Sequence, residues 1–374
     1  MPLLDALHAD LAGLDRASRR RTLAPRRGVD FSSNDYLALA ESPRISRAVT
    51  QAIASGTPIG SGGSRLLRGN HEAHVALETF AAGFFRNEAA LFFPTGFAAN
   101  ACFFATVPQR GDLIVFDERI HASAHEGMRL GRAECRAMPH NDAGAIEESL
   151  GVWRTSGNRG TPWIAVESVY SMDGDFAPLA DLAQVAARYD AMLVIDEAHA
   201  TGVFGPGGRG LAADLPRGDN RVTLHTCGKA LGCEGALLCC PAVVRDFLVN
   251  RGRGFIFSTA PSPLMAVAVQ EALNIIIDEP DHRDALRSLV SHAERVLAPA
   301  GVAATGSQIL PLILGDDGRA MAVAARLQDA GFDVRGIRPP TVAPGTARLR
   351  LSLTLNIDSS AVDALAAELE NALA

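Results

Sequence analysis

Lys229 has surroundings that suit covalent catalysis. It lies in Thr226-Cys227-Gly228-Lys229-Ala230-Leu231-Gly232, downstream of Asp196-Glu197-Ala198-His199-Ala200-Thr201-Gly202. The acidic segment follows Met192-Leu193-Val194-Ile195, a pure apolar run that reads as a buried parallel strand. Asp196 therefore ends a central strand, where open α/β sheets place their ligand sites. A lysine in a glycine-flanked turn facing that aspartate suits pyridoxal phosphate. The amine forms the Schiff base and the carboxylate keeps the pyridine nitrogen protonated. Such a charge-assisted hydrogen bond is worth roughly 1.5–3 kcal/mol, or about one to two pK units on the ring. His199, at a three-residue offset, is placed to reach the ring oxygen. The plain alternative is an aspartate capping the next helix beside an incidental histidine. It loses most of its weight once Lys229 is counted with the pair.

Other residues join this set with less force. Thr95-Gly96-Phe97-Ala98 follows a strand and opens a helix, whose first N–H groups make an anion site. The same letters also suit an ordinary strand–glycine–helix turn. His121 comes after the strand ending Val115-Phe116-Asp117 and offers a ring to stack on the pyridine. Ser171, within Ser171-Met172-Asp173-Gly174-Asp175, and Thr226, one turn before Lys229, offer hydroxyls to the cofactor and its phosphate. Ser258-Thr259 is a candidate phosphate contact across a dimer. Arg19, Arg20, Arg21, Arg348 and Arg350 are carboxylate-binding candidates, because a guanidinium fork matches a carboxylate. Most read as solvated surface, but Arg350 sits mid-strand among leucines.

Two rival chemistries fall away. Asp196-Glu197-Ala198-His199 also spells a nucleotide-hydrolysis box, yet no P-loop G-x-x-x-x-G-K-[ST] precedes it. His121 and His125 suit a metal by spacing but lack further ligands. His71-Glu72-Ala73-His74 sets its histidines one residue too close for a zincin. No metal is expected.

The elements that must position these residues alternate through the middle of the chain. Strands are predicted at Ala89–Phe93, Leu113–Phe116, Trp163–Val166, Met192–Ile195, Val222–Leu224 and Ala236–Cys239. Helices over 97–106, 122–130 and 178–189 separate several of them, the pattern of a parallel sheet. After residue 262 come a long helix (264–298), a strand (Ile309–Leu314), a helix (319–330), a strand near 333–337, an alternating strand over 347–353 and a last helix (359–373). Period-2 alternation sets Arg348 and Arg350 on one face. The expectation is a segment over 1–44, a large domain over 45–261 and a small α+β domain over 262–374.

The 374 residues are 48% hydrophobic and 21% charged, which suits a soluble globular chain. A net charge of −7 argues against a nucleic-acid partner. Cysteines at 102, 135, 227, 233, 239 and 240 lack zinc-type spacing and read as free thiols. With no apolar run of membrane length and no secretory leader, a cytoplasmic protein is expected.

Taken together, the chain resembles the α-oxoamine synthases, a family of fold-type I pyridoxal phosphate enzymes, along nearly its whole length. The resemblance rests on Phe31-Ser32-Ser33-Asn34-Asp35-Tyr36-Leu37, Gly60-Ser61-Gly62-Gly63-Ser64-Arg65, Thr95–Asn100, Ser171–Asp175, Asp196–Gly202 and Gly228–Gly232. It implies an α/β fold with a mostly parallel central sheet, and a small α+β domain built from both ends of the chain. It implies that Lys229 forms the Schiff base and moves protons. Asp196 and His199 hold the pyridine side and His121 stacks on the ring. Gly96, Phe97, Ser171 and Thr226 line the cofactor, while Arg19, Thr341 and Arg350 contact substrates. Ile337-Arg338-Pro339-Pro340-Thr341-Val342 and Gly345–Arg350 point to the member that joins L-alanine to a pimeloyl thioester on coenzyme A or acyl-carrier protein. A homodimer is implied. Sister activities, such as glycine with acetyl-CoA, are the alternative. Cys227, Cys233-Glu234 and Cys239-Cys240 depart from what the family leads one to expect.

Overall fold

The structure is a computed structural model that describes residues 1–216 and 218–373. It divides into two compact units. The larger comprises Leu37–Ser171 and Phe176–Arg283; the smaller gathers Met1–Tyr36, Met172–Asp175 and Asp284–Ala374.

A seven-stranded sheet forms the larger unit. Its order is Ala89–Phe93, Ala236–Cys240, Arg221–Thr226, Met192–Asp196, Pro162–Glu167, Leu113–Asp117, Glu134–Met138. Only Ala236–Cys240 runs antiparallel to its neighbours. Helices cover both faces, which is why the strands read as unbroken apolar runs. Val194 packs on one face with Phe103, Phe104, Met128, Trp163 and Leu248. Leu193 and Ile195 pack on the other with Ile146, Leu150, Trp153, Leu182 and Val185. Asp117, Glu167, Asp196 and Thr226 each end a parallel strand, so one sheet edge collects four polar side chains.

Three sequence expectations need correcting. Glu134–Met138 is a strand although it lacks an apolar run. It lies at the sheet edge beside Leu113–Asp117 alone, where half-exposed Arg136 and exposed Glu134 and Ala137 are tolerated. The long helix expected over 264–298 is two helices, Pro263–Asp278 and Asp281–Leu297. Pro280 lacks an N–H and steers Glu279 out of helical geometry, to φ −121° and ψ 64°. The larger unit also reaches past residue 261, because Pro263–Asp278 packs against the helices Pro43–Ala54 and Glu72–Phe84.

In the smaller unit, Arg335–Ile337, Ala347–Ser352 and Ile309–Gly315 form an antiparallel sheet in that order. The helix Asp317–Asp329 packs on it and against Ser359–Leu373. Val29–Asp30 pairs in parallel with Phe332–Asp333, tying in the N-terminal segment. Residues Met172–Asp175 belong here because Gly174 adopts φ +73° and lies so close to Ile309 that a Cβ would fall 2.1 Å from its carbonyl oxygen. Among the described residues, no helix is long and apolar enough to cross a membrane.

Candidate active site

The strand-end carboxylate Asp196 is 8% exposed and accepts two hydrogen bonds. Ala198 N–H donates to Oδ1 at 2.9 Å, and the Asn100 amide donates to Oδ2 at 2.8 Å. Asn100 comes from the helix Gly96–Thr106, where it is the lone amide in an apolar sequence. The same Nδ2 donates to Ser123 Oγ at 3.0 Å. Ser123 Oγ lies 2.8 Å from His121 Nδ1, which also accepts the Ser123 N–H at 3.2 Å. Since Nδ1 accepts the Ser123 N–H it bears no proton itself, so the Ser123 O–H is the donor between Oγ and Nδ1. His121 therefore carries its proton on Nε2. Burial holds His121 below the usual histidine range, with Asp196 opposing and Lys229 reinforcing the shift, so the neutral ring is favoured.

Lys229 follows the Arg221–Thr226 strand in a turn closed by Cys233 N–H on the Cys227 carbonyl at 2.9 Å. Its Nζ lies 2.9 Å from His199 Nε2. Lys229 is also the sole lysine in the sequence, arginine supplying every other permanently cationic side chain. Between the strands, Glu167 pairs in register with Asp196. Its carboxyl is pushed well above the usual range by burial and then by Asp196, with Lys229 opposing. Glu167 Oε2 accepts the Ser171 N–H at 3.1 Å, which holds Ser171 at this edge.

Gly96 and Thr226 are brought together. A Cβ on Gly96 would lie 3.1 Å from Thr226 Cγ2, so the helix start approaches the strand end by having no side chain there. Thr95 caps that helix by accepting from Ala98 N–H, which leaves the N–H groups of Gly96 and Phe97 without a partner inside the helix. Phe97 is half exposed, and Thr226 Oγ1 is buried with no hydrogen-bond partner among the described residues. These features fit pyridoxal phosphate: a single amine for the aldehyde, a carboxylate for the ring nitrogen, and an orphaned hydroxyl beside helix N–H groups for a phosphate.

The substrate candidates lie in the smaller unit and have distinct partners. Arg19 pairs with Asp317 at 2.6 Å, and Arg20 with Asp15 at 2.7 Å. Arg21 reaches Thr341 Oγ1 at 3.3 Å. Arg348 pairs with Asp173 at 2.7 Å. Arg350, buried in its strand, donates to Ser352 Oγ, Asn34 Oδ1 and Tyr36 Oη. Ser258 Oγ bonds the neighbouring Thr259 carbonyl at 3.4 Å. Among the described residues there is no cluster able to hold a metal ion. Cys227 and Cys239 are fully buried, and burial raises both thiols well above their usual range, which leaves them inert. Asn100, Ser123 and Glu167 escaped the sequence reading; the polar Asn100 inside an apolar helix was the one visible signal.

Residues 26–369 match the family described as aminotransferase class I and II, and the chain belongs to that family. The solved serine palmitoyltransferase from S. paucimobilis, with PLP and myriocin bound, shares the fold at a TM-score of 0.90 and 24% identity, covering 99% of this chain and 97% of that one. Within the class the likeness narrows. An 8-amino-7-oxononanoate synthase from Anaeromyxobacter dehalogenans is 41% identical over 98% of this chain and 95% of its own length. One from Chromobacterium violaceum is 40% identical over 97% of each. The chain belongs to the 8-amino-7-oxononanoate synthase family of biotin biosynthesis, and its cofactor is pyridoxal 5′-phosphate.

Proposed function

We propose that this acyltransferase condenses L-alanine with a pimeloyl thioester, releasing CO2 and the free carrier and yielding 8-amino-7-oxononanoate. The observation that carries the reading is the sole lysine poised 2.9 Å from His199 at the sheet edge that also bears Asp196. Bound pyridoxal phosphate supplies an electron sink for negative charge on the amino acid's α-carbon. Asp196 accepts the ring N–H and holds it protonated. His199 would bond the ring oxygen, and the neutral His121, oriented by Ser123 and Asn100, would offer its ring to the pyridine. Thr226 Oγ1 and the N–H groups of Gly96 and Phe97 meet the phosphate, with the Ser171 hydroxyl beside the cofactor. Lys229 anchors the cofactor and then removes the proton at the α-carbon of alanine. That carbon bonds the thioester carbonyl carbon as the C–S bond breaks and the carrier leaves as its thiolate; loss of CO2 then leaves the same carbon to be reprotonated, and the Lys229 amine returns the proton. Arg350 forks to the carboxylate of alanine, while Thr341 and Arg19 contact the acyl substrate.

The enzyme acts as a cytoplasmic homodimer, with Ser258 and Thr259 offered to the phosphate of the other subunit. Sedimentation is expected to give a dimer at assay concentration; a fully active monomer is the contrary result. The activity is tested by supplying purified holoenzyme with alanine, glycine or serine and with pimeloyl-, acetyl- or palmitoyl-CoA. Turnover with alanine and the pimeloyl thioester is expected to exceed every other pairing. Stronger turnover of glycine with acetyl-CoA would assign the chain to a sister activity.

A further inference from the structure

Arg221 opens the strand that ends at Thr226, so it starts roughly 17 Å from the cofactor end at about 3.3 Å per residue. Beside it, within the larger unit, lies a cavity of about 40 Å³ whose lining includes Arg86, Asn87, Arg209 and Arg221. One water needs about 10–15 Å³, so the space suits a compact ion. Among the described residues no acid lines it. Arg209 and Arg221 are half-buried, yet both meet only neutral oxygens. Arg209 donates from Nε to the Phe84 carbonyl at 2.7 Å and from Nη1 to the Pro206 carbonyl at 2.9 Å. Arg221 donates from Nη1 to the Ala212 carbonyl at 2.8 Å and from Nη2 to the Pro216 carbonyl. These bonds brace the loop over 206–216 and leave further N–H groups on each guanidinium. Arg86 follows the helix Glu72–Phe84 with φ +59°, and its exposed side chain has no partner among the described residues. Burial, then Arg86, holds Arg209 below its ordinary range. Burial does the same to Arg221, with Glu197 opposing. The buried wall adds no charge, because burial takes His225 down to about 3 and keeps its ring neutral. Thr201 spends its O–H on the Glu197 carbonyl, so it accepts from His225 Nδ1, and Thr223 in turn donates to Nε2 at 2.9 Å. Glu88 and Asp219 enter only in the more open groove outside, of about 350 Å³, which shares Arg86, Asn87 and Arg221. Glu88 there already accepts the Ala242 N–H at 2.8 Å.

We propose that Arg86, Arg209 and Arg221 bind a phosphate group, free or carried by a small metabolite, at a site separate from the catalytic one. Half-buried guanidinium groups without a counter-ion are costly to retain, and an anion offsets that cost. The three come from a helix end, a loop and a strand start, so they reach one point from different sides. A carboxylate has two oxygens and satisfies one fork, whereas a phosphate has enough oxygens and charge for all three. The cavity takes the phosphate, and the outer groove has room for what the phosphate is attached to. Because the site lies at the far end of the strand from Thr226, it stands apart from the acyl-transfer reading. Its occupation would also hold the 206–216 loop that Arg209 and Arg221 brace.

The test uses holoenzyme reduced with borohydride, so that the cofactor's own phosphate stays in the catalytic site. It is titrated calorimetrically with inorganic phosphate, glycerol 3-phosphate and acetate at constant ionic strength. One saturable phosphate site per chain is expected, with acetate at least tenfold weaker. Arg86→Met and Arg209→Met should each weaken phosphate by about tenfold, the loss of one charged hydrogen-bond partner, and Arg86→Lys should recover part of it. Tighter binding of glycerol 3-phosphate than of phosphate would assign the site to a phosphorylated metabolite lying in the outer groove; equal or weaker binding would assign it to free phosphate. The Arg86→Met apoenzyme should keep the wild-type Kd for pyridoxal phosphate, and a matching loss there would overturn the separation of the two sites. Should Arg209→Met fail to fold, Arg86→Glu at the exposed rim should abolish saturation. No saturable binding to wild type, acetate bound as tightly as phosphate, or phosphate affinity unchanged in the Arg86 variants would overturn the proposal.

Discussion

Replacing Asp196 by asparagine removes one charge and converts one acceptor into a donor. The wild-type carboxylate accepts from Ala198 N–H on one oxygen and from the Asn100 amide on the other. An asparagine can accept on one side only. If its new amide faces Ala198, two N–H groups confront each other. If it faces Asn100, that amide must turn over and present its oxygen to Ser123. The Ser123 O–H would then turn towards Asn100, and His121 Nδ1 would lose its donor at 2.8 Å. Either way a buried hydrogen bond is lost, at about 1–3 kcal/mol. The larger effect is on turnover. Losing one well-placed electrostatic group costs about 2.7–4 kcal/mol in the transition state, or about 10²–10³ in rate. Asp196→Asn is therefore expected to bind pyridoxal phosphate more weakly, by absorbance titration, and to lose about 10²–10³ in kcat when saturated with it. Ser123→Ala, which leaves the charge and removes a neutral bond, should cost about 0.5–1.5 kcal/mol, roughly twofold to tenfold. An Asp196→Asn enzyme with near-normal kcat would refute the reasoning, because the ring nitrogen would then have another partner.

Reduction of the holoenzyme with borohydride should fix the cofactor covalently at Lys229, seen as one added cofactor mass on the peptide carrying it. Because the chain has no other lysine, a permanent adduct in Lys229→Ala would sink the assignment. Thr226→Val removes a buried hydroxyl that has no partner among the described residues, so apo stability should hold while the pyridoxal phosphate Kd rises by about twofold to tenfold. An unchanged Kd would take Thr226 out of the cofactor site. Glu197, wholly buried, has its pKa raised from 4.5 to about 7, first by burial, against donors from Ser168, Ala212 and Leu211. Between those values the folded chain keeps a proton that the unfolded chain releases, so stability falls as pH rises through this window and levels above about 7. Glu197→Gln cannot titrate, so its Tm deficit against wild type should shrink as pH rises; a deficit constant in pH would count against a protonated Glu197.

What the sequence determined by itself follows from local rules. A strand covered on both faces needs an apolar run, so Met192–Ile195 and Ala89–Phe93 were legible, and Asp196 could be placed at a strand end. A glycine-flanked turn marked Lys229, and the alternation of 347–353 put Arg348 and Arg350 on one face. The edge strand Glu134–Met138 was invisible because one exposed side frees it from that pattern. Tertiary structure alone decided how Asp196 is wired to His121. Asn100 and Ser123 join them only because the Gly96–Thr106 helix packs beside the His121 cap of the next helix, a pairing that spans many residues. It also decided which arginines are neutralised: in Arg19-Arg20-Arg21 the side chains are alike, and only their through-space neighbours pair Arg19 with Asp317 and Arg20 with Asp15 while Arg21 meets the Thr341 hydroxyl and, among the described residues, no carboxylate. Local preference sets an element and its faces, whereas strand register and helix packing set which charges meet, and the chemistry of this site depends on the meeting.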